Sequence, residues 1–269
     1  EQVMLSGEIE QAANLMVAAK AGSYGVIEFI MTPSTTEMTA KGTMFVNLVE
    51  GLGVNLVGME YIQTHPTVVP GRGTMITEAV RGNGAILINR NGERFVNELD
   101  TRDVVSAAEL EQPGGTGLLI FDQSVRESLS AIERYINNGL VTEAESLEGL
   151  AEALEIPADE VIATVAGYNS IVAAGVDPDF GRTSFARVLE TPPFYAVEVG
   201  PAVHHTMGGI QVDGDARVIN QDGEPIPGFF AAGENTGGIH GANRLGGNAL
   251  ADIITFGRIA GRNAAFVAQ

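Results

Sequence analysis

The stretch from Phe229 to Val267 constrains the fold more than any other part of this 269-residue chain. Phe229-Phe230-Ala231-Ala232-Gly233-Glu234 reads as a buried strand that ends in small residues. A glycine-rich segment, Gly241-Ala242-Asn243-Arg244-Leu245-Gly246-Gly247, then runs straight into a predicted helix from Asn248 to Val267, whose Gly257 and Gly261 allow close packing. Strand, glycine-rich turn and helix make a ready platform for an anionic ligand. The first turn of a helix offers unpaired N–H groups and the positive end of the helix dipole. Gly246 and Gly247 permit close backbone approach, and the Arg244 guanidinium beside them suits a bidentate pair with a carboxylate.

Four more segments set cationic or proton-carrying side chains among small residues: Thr64-His65-Pro66-Thr67, Thr77-Glu78-Ala79-Val80-Arg81, Thr101-Arg102-Asp103 and His204-His205-Thr206-Met207-Gly208-Gly209. Composition sharpens their meaning. The formal net charge is −19, which argues against nucleic acid as a partner because phosphate binding needs a basic face. Lys20 and Lys41 are the only lysines, so Arg81, Arg102 and Arg244 are either salt-bridged surface groups or functional ones. A chain that is 45% hydrophobic can bury a sizeable core, here expected in two units. No apolar run approaches the ~20 residues of a membrane span, and the start lacks the basic region of a signal peptide. The expectation is a soluble, bacterial-like protein, periplasmic or cytoplasmic. Cysteine is absent, which excludes disulfides, thiolate metal sites and cysteine nucleophiles.

The pattern predicts a helix over Glu8–Ala21, a strand over Val26–Met31, a helix over Phe45–Leu52 and a strand at Asn55–Val57. A hairpin around Asn91-Gly92 joins Ala85–Asn89 to Arg94–Asn97. Helices are expected over Asp103–Glu111, Ser124–Asn137, Ser146–Glu155 and Ala158–Ala174, with strands at Gly117–Asp122 and Tyr195–Val199. Gly209–Asp213 and Ala216–Asn220 read as a second hairpin.

His65 precedes Pro66, so its backbone is biased to extended geometry; it is either a structural histidine or a ligand-facing one. His204 and His205 would point opposite ways on a strand, one to substrate and one to a cofactor. Without cysteine or a His-x3-His spacing, no metal site is expected. Glu78 and Arg81 are neighbours on a helical turn, as a local ion pair or as a proton relay between guanidinium groups. Arg102, a guanidinium that is a very weak acid at neutral pH, should bind anions rather than donate protons, unless the reacting carbon becomes a strong base and a relay restores the proton. Glu234 can accept from cofactor hydroxyls or cap a turn.

Together these segments resemble the soluble fumarate reductase flavoproteins of the flavocytochrome c type, in the succinate dehydrogenase/fumarate reductase flavoprotein superfamily. The resemblance covers residues from about 58 to 269 and includes Tyr61–Thr67, Glu78–Ala85, Arg94–Glu98 and the two C-terminal motifs. It implies an α+β fold. By that resemblance 58–202 is expected to be a mixed α/β cap (clamp) domain and 203–269 the C-terminal part of an FAD-binding α/β domain, while residues 1–57 form a divergent segment, either part of the flavin domain or rearranged. It implies FAD as cofactor and reduction of fumarate to succinate by hydride from the flavin. Arg102 matches the family's proton donor, supplied by Glu78 and Arg81. His65, Thr77, Glu78, His204, Arg244 and Gly247 match substrate-binding positions. His205, Gly233, Glu234, Gly246, Asn248, Ala249 and Leu250 match FAD-binding ones. The partners implied are a small dicarboxylate and an unidentified electron donor. Another enoate such as urocanate, or a non-catalytic remnant unable to hold FAD, stays open.

The departures from the family are specific. The G-x-G-x-x-G turn of the dinucleotide-binding βαβ half is missing, and Thr43-Met44-Phe45 stands where the family has a Gly-Asp-Gly flavin contact. No Cys-x-x-Cys-His haem motif is present, so electrons must come from elsewhere.

Overall fold

The apolar runs of the sequence become three sheets in a computed structural model that describes residues 15–20, 23–28 and 51–267, the first two ranges as backbone only. In chain order the strands are β1 (Leu15–Lys20), β2 (Ser23–Glu28), β3 (Leu56–Val57), β4 (Ile62–Val68), β5 (Ile86–Ile88) and β6 (Gly117–Asp122). Then come β7 (Thr142–Ala144), β8 (Phe194–Thr206), β9 (Gly209–Gln211), β10 (Arg217–Ile219), β11 (Pro225–Phe230) and β12 (Thr236–Gly237). The chain divides into two compact units, one continuous over Thr64–Val203 and one assembled from Glu1–Gln63 and His204–Gln269. The mixed α/β content matches the expected fold class.

In the Thr64–Val203 unit the sheet order is β4-β8-β6-β5, with β7 also pairing β8. Strand β6 (Gly-Leu-Leu-Ile-Phe-Asp) is buried along its whole length, which is why its sequence is a continuous apolar run rather than an alternating one. It pairs antiparallel with β5 and β8. Leu87, Leu119, Ile120, Val197 and Tyr195 anchor the core on which the helices pack. Pro66 is tolerated in β4 because that strand ends the strand order of its sheet.

Local signals end the helices where the sequence puts them. Asp122 closes β6 and caps the Gln123–Ser128 helix: Oδ1 accepts from Val125 N at 3.1 Å, and Oδ2 accepts from Glu190 N and Thr191 N. Ser146 caps Leu147–Leu154 through Gly149 N, and Gly175, at φ 70°, stops Ala158–Ala174. The Asn91-Gly92 turn forms, with Asn89 Oδ1 accepting from Asn91 N and Glu93 N; the return is a single bridge, Ile88 to Arg94.

Two expectations fail. Leu15–Lys20 is a strand, paired residue by residue with β2 and touching β11, so tertiary pairing overrides the helical periodicity of this stretch. The expected helix over Ser124–Asn137 is two helices, Gln123–Ser128 and Ala131–Asn137. Leu129 between them is extended, and the Ser128 hydroxyl donates to Val125 O at 2.7 Å, competing with the helical ladder. Glu8–Asn14, Ala21, Phe29–Met31 and nearly all of the Phe45–Leu52 helix lie outside the described residues.

The discontinuous unit holds the order β10-β11-β1-β2 and a small sheet β12-β9-β3. The second sheet explains two glycines of the His204–Gly209 motif. A Cβ on Gly208 would collide with the carbonyl of Gly58, and one on Gly209 with the carbonyl of Asn235. The Asn248–Val267 helix forms over the predicted bounds. Among the described residues no helix is long and apolar enough to cross a membrane.

Candidate functional site

Within Thr64–Val203, β4 supplies His65, whose side chain is 1% exposed. Its Nδ1 accepts from Thr67 N at 3.3 Å, which assigns the neutral tautomer with the proton on Nε2. The Thr67 hydroxyl donates to Ile76 O at 2.8 Å and so ties β4 to the segment bearing Thr77. Thr77 donates its N–H to the Tyr135 hydroxyl at 3.0 Å.

Glu78 precedes the short Ala79–Gly82 helix and is exposed, whereas Arg81 on that helix is buried. Arg102 opens the Arg102–Leu110 helix and reaches Glu78: Nε and Nη2 both donate to Oε2, at 3.2 and 2.9 Å. Arg81 donates from Nη1 to the carbonyl of Glu98, while its Nε and Nη2 have no partner among the described residues. Burial lowers its pKa, against the opposing pull of Glu78 and Glu109. The three residues expected to handle a proton are thus one electrostatic group, with Arg102 and Glu78 in direct contact.

Sequence reasoning missed the support beneath this group. Glu98 is fully buried and accepts from Arg94 Nε at 2.8 Å, Arg94 Nη2 at 2.9 Å and Arg182 Nη1 at 2.9 Å. Arg182 also donates to the carbonyls of Arg81 and Ala85. Arg94 reaches Asp177 Oδ2 at 3.0 Å and lies over the rings of Tyr168 and Phe180. Burial works to raise the Asp177 pKa, but the hydrogen bonds from Arg94 and the backbone hold it below the usual carboxylate range. The Arg94–Glu98 half is an i,i+4 pair visible in sequence; Arg182, 84 residues away, carries no such signal.

In the discontinuous unit His204 and His205 differ in burial along β8, as alternation requires. His205 is buried, with Nδ1 3.4 Å from Glu234 Oε2, and its ring meets His240 edge-on at 5.4 Å. Glu234 Oε1 accepts from Thr206 N at 3.0 Å. Burial acts to raise the Glu234 carboxyl, but the hydrogen bonds from His205 and Thr206 win and hold it low. His240 pairs with Asp252 at 3.0 Å. Gly233 adopts φ 93° next to Glu234.

Arg244 is buried inside an otherwise exposed turn. Gln63, another residue the sequence did not single out, holds that turn by donating to Asn243 Oδ1 and to the Arg244 carbonyl, both at 2.6 Å. Gly246, Gly247 and Asn248 are exposed, Ala249 is half-buried, and Leu245 and Leu250 present large exposed apolar surfaces. Gly247 has φ 83°, and its open side faces no protein atom within 4 Å.

Comparison with known proteins gives this arrangement a family. The FAD binding domain matches residues 6–250. A fumarate reductase (cytochrome) of Shewanella frigidimarina is 54% identical over 219 residues, 81% of this chain and 38% of its own. A urocanate reductase of Eggerthella lenta is 38% identical over 244 residues, 87% of this chain and 40% of its own. The open conformation of a flavocytochrome c3 fumarate reductase superposes with a TM-score of 0.71 at 42% identity, over 86% of this chain and 41% of that one. The chain therefore spans about two-fifths of the length of these relatives.

The residues present fit the isoalloxazine end of FAD. His205 Nε2 and the Asn235 side-chain nitrogen are buried without a partner among the described residues, as the polar edge of a bound ring would require. The exposed Gly246-Gly247 turn leaves backbone clear at the start of the Asn248–Val267 helix. Among the described residues β1 and β2 are antiparallel neighbours, with Lys20 opposite Ser23, so no strand–helix–strand crossover lies between them. Match, geometry and fit agree: the chain belongs to the FAD binding domain family and aligns there with the fumarate reductase flavoproteins.

Proposed function

We propose that this chain carries the catalytic part of an FAD-dependent enoate reductase and that its substrate is fumarate. The observation that carries the reading is the Arg102–Glu78 pair beside buried Arg81, in a chain 54% identical to a fumarate reductase. Bound FAD supplies a hydride to one alkene carbon of the substrate.

The side chains do the rest. Two N–H bonds to Glu78 hold the Arg102 guanidinium in one orientation. An arginine is a poor acid toward water, but an alkene carbon that has just gained a hydride carries carbanion character and is basic enough to take its proton. Glu78 returns a proton to Arg102, and Arg81 restores Glu78. Neutral His65, with its proton on Nε2, and Thr77 serve a substrate carboxylate. His204, Arg244 and the Gly247 backbone serve carboxylate charge as well. His205, Gly233, Glu234, Gly246, Asn248, Ala249 and Leu250 hold the flavin.

The test is fumarate-dependent oxidation of a reduced viologen by the protein supplied with FAD, in wild type and Arg102→Ala. The wild type is expected to turn over, and the variant to lose about 10²-fold or more while keeping its flavin spectrum. No flavin binding, or an Arg102→Ala variant as fast as wild type, would refute the reading. The urocanate reductase relative favours a second substrate class. Urocanate turnover above fumarate turnover would transfer the proposal to that class.

A further inference from the structure

Behind Arg81 lies a group of polar atoms that the steps above do not use. The Arg102–Leu110 helix puts Arg102, Ser106 and Glu109 at i, i+4 and i+7, on one face. Ser106 is buried, and Glu109 is 0% exposed. Ser106 Oγ, both Glu109 carboxyl oxygens and Arg81 Nε and Nη2 are buried with no partner among the described residues. Buried polar atoms are rarely left unmatched, so a local set of both donors and acceptors marks a place where hydrogen bonds and protons are exchanged. A structural ion pair between Arg81 and Glu109 would instead engage both carboxyl oxygens in the bidentate bonds made by Arg94 and Glu98.

We propose that Glu109 stores a proton for the Arg81–Glu78–Arg102 path and acts through Arg81; this rests on the enoate-reductase reading. During turnover the proton leaves the Glu109 carboxyl for Arg81, which has passed its own proton to Glu78; the two side chains are not in hydrogen-bond contact in this structure, so the transfer needs them to close together. Between turnovers the proton is replaced from solvent in the reverse direction, entering at Glu78, whose side chain is 53% exposed. The path therefore ends in a buried acid at one side and opens to water at the other.

The environment makes Glu109 suitable for this. Burial raises its pKa to about 8, with Arg81 opposing the rise, so the acid is largely protonated at neutral pH. Its position in the last turn of the helix, where backbone carbonyls point, also disfavours the carboxylate. Arg81 itself is driven toward easier deprotonation by burial, which narrows the gap between donor and acceptor.

The test uses the FAD-loaded protein and two readouts. The first is the pH dependence of fumarate turnover in wild type, Glu109→Gln and Glu109→Asp. Wild type should lose rate above pH about 8. Glu109→Gln should turn over about tenfold or more slowly and lack that limb, and Glu109→Asp should restore part of the rate with a displaced limb. The second is the infrared carboxylic-acid band, followed against pH without substrate. In wild type a band should titrate near pH 8, and in Glu109→Gln it should be missing. Wild-type turnover and an unchanged pH limb in Glu109→Gln would overturn the proposal, as would a Glu109 carboxylate ionised through pH 7. An enzyme that ignores fumarate but shows the band defeats the substrate reading and supports the stored proton.

Discussion

Replacing Glu98 with glutamine tests the ionic support beneath the proton-handling group. The carboxylate is fully buried and receives three guanidinium N–H bonds, from Arg94 at 2.8 and 2.9 Å and from Arg182 at 2.9 Å. Glutamine keeps the shape but removes the negative charge and turns an amide donor toward a guanidinium donor. Arg182 has no other carboxylate within salt-bridge distance among the described residues, and its side chain is 0% exposed. Removing one partner of a buried pair costs ~3–5 kcal/mol, because the remaining charge stays buried without compensation. At roughly 2–4 °C per kcal/mol for a chain this size, the melting temperature should fall by about 6–20 °C. The two compact units need not unfold together, so the loss is best read as hydrogen exchange of the β5 and β6 amides, which lie in the same unit as Glu98. Adding Arg182→Met should recover part of the loss, since it removes the stranded charge. A loss below about 1 kcal/mol for Glu98→Gln would refute the reasoning, because solvent would then have to be screening the cluster.

Stability should depend on pH through Glu109. Between about pH 4.5 and 8 the folded chain keeps a proton that the unfolded chain has released, so wild type loses stability as pH rises through that window. At ~1.4 kcal/mol per pH unit the loss approaches at most about 5 kcal/mol. Urea denaturation of Glu109→Gln, which holds no titrating carboxyl, should show the difference growing in the variant's favour from pH 5 to 8. Glu234 behaves oppositely. Its pKa is held low, so its contribution is present at neutral pH and is lost as pH falls through the depressed folded value, and Glu234→Gln should cost about 1.5–3 kcal/mol at pH 7 and progressively less in acid by the same assay. Gly209→Ala should destabilise by about 3 kcal/mol through the clash with Asn235. Gly247→Ala, with open space on that side, should cost only the ~1–2 kcal/mol of a left-handed backbone, a ranking thermal melts would check.

What the sequence revealed depended on how local its cause was. Gly117–Asp122, Ala158–Ala174 and Asn248–Val267 are found where expected because apolar pattern, caps and glycine stops agree with the final packing. Leu15–Lys20 departs from the helical expectation because cross-strand pairing, with the adjacent β2 and with distant Phe229, decides its conformation. The same holds for the candidate site. Arg102, Glu78 and Arg81 stood out as arginines and a carboxylate among small residues. Glu98 stands out only as part of the Arg94–Glu98 motif; its role as a buried acceptor is fixed by Arg182, 84 residues away, and by the Leu87 N–H. Gln63 sits two residues from His65, yet its role is fixed by Asn243 and Arg244, about 180 positions away.

The buried arginines have a consequence for a chain without cysteine. Arg182 fastens residues 81, 85, 98 and 184 to one guanidinium, and Arg94 fastens 98 to 177. These ties do in this fold what disulfides do elsewhere, joining distant segments at a point. They contain no sulfur, so neither dithionite, a thiol nor an oxidant can open or reshuffle them. The scaffold can stand beside a group that cycles between oxidised and reduced forms, and its own cross-links remain indifferent to the potential.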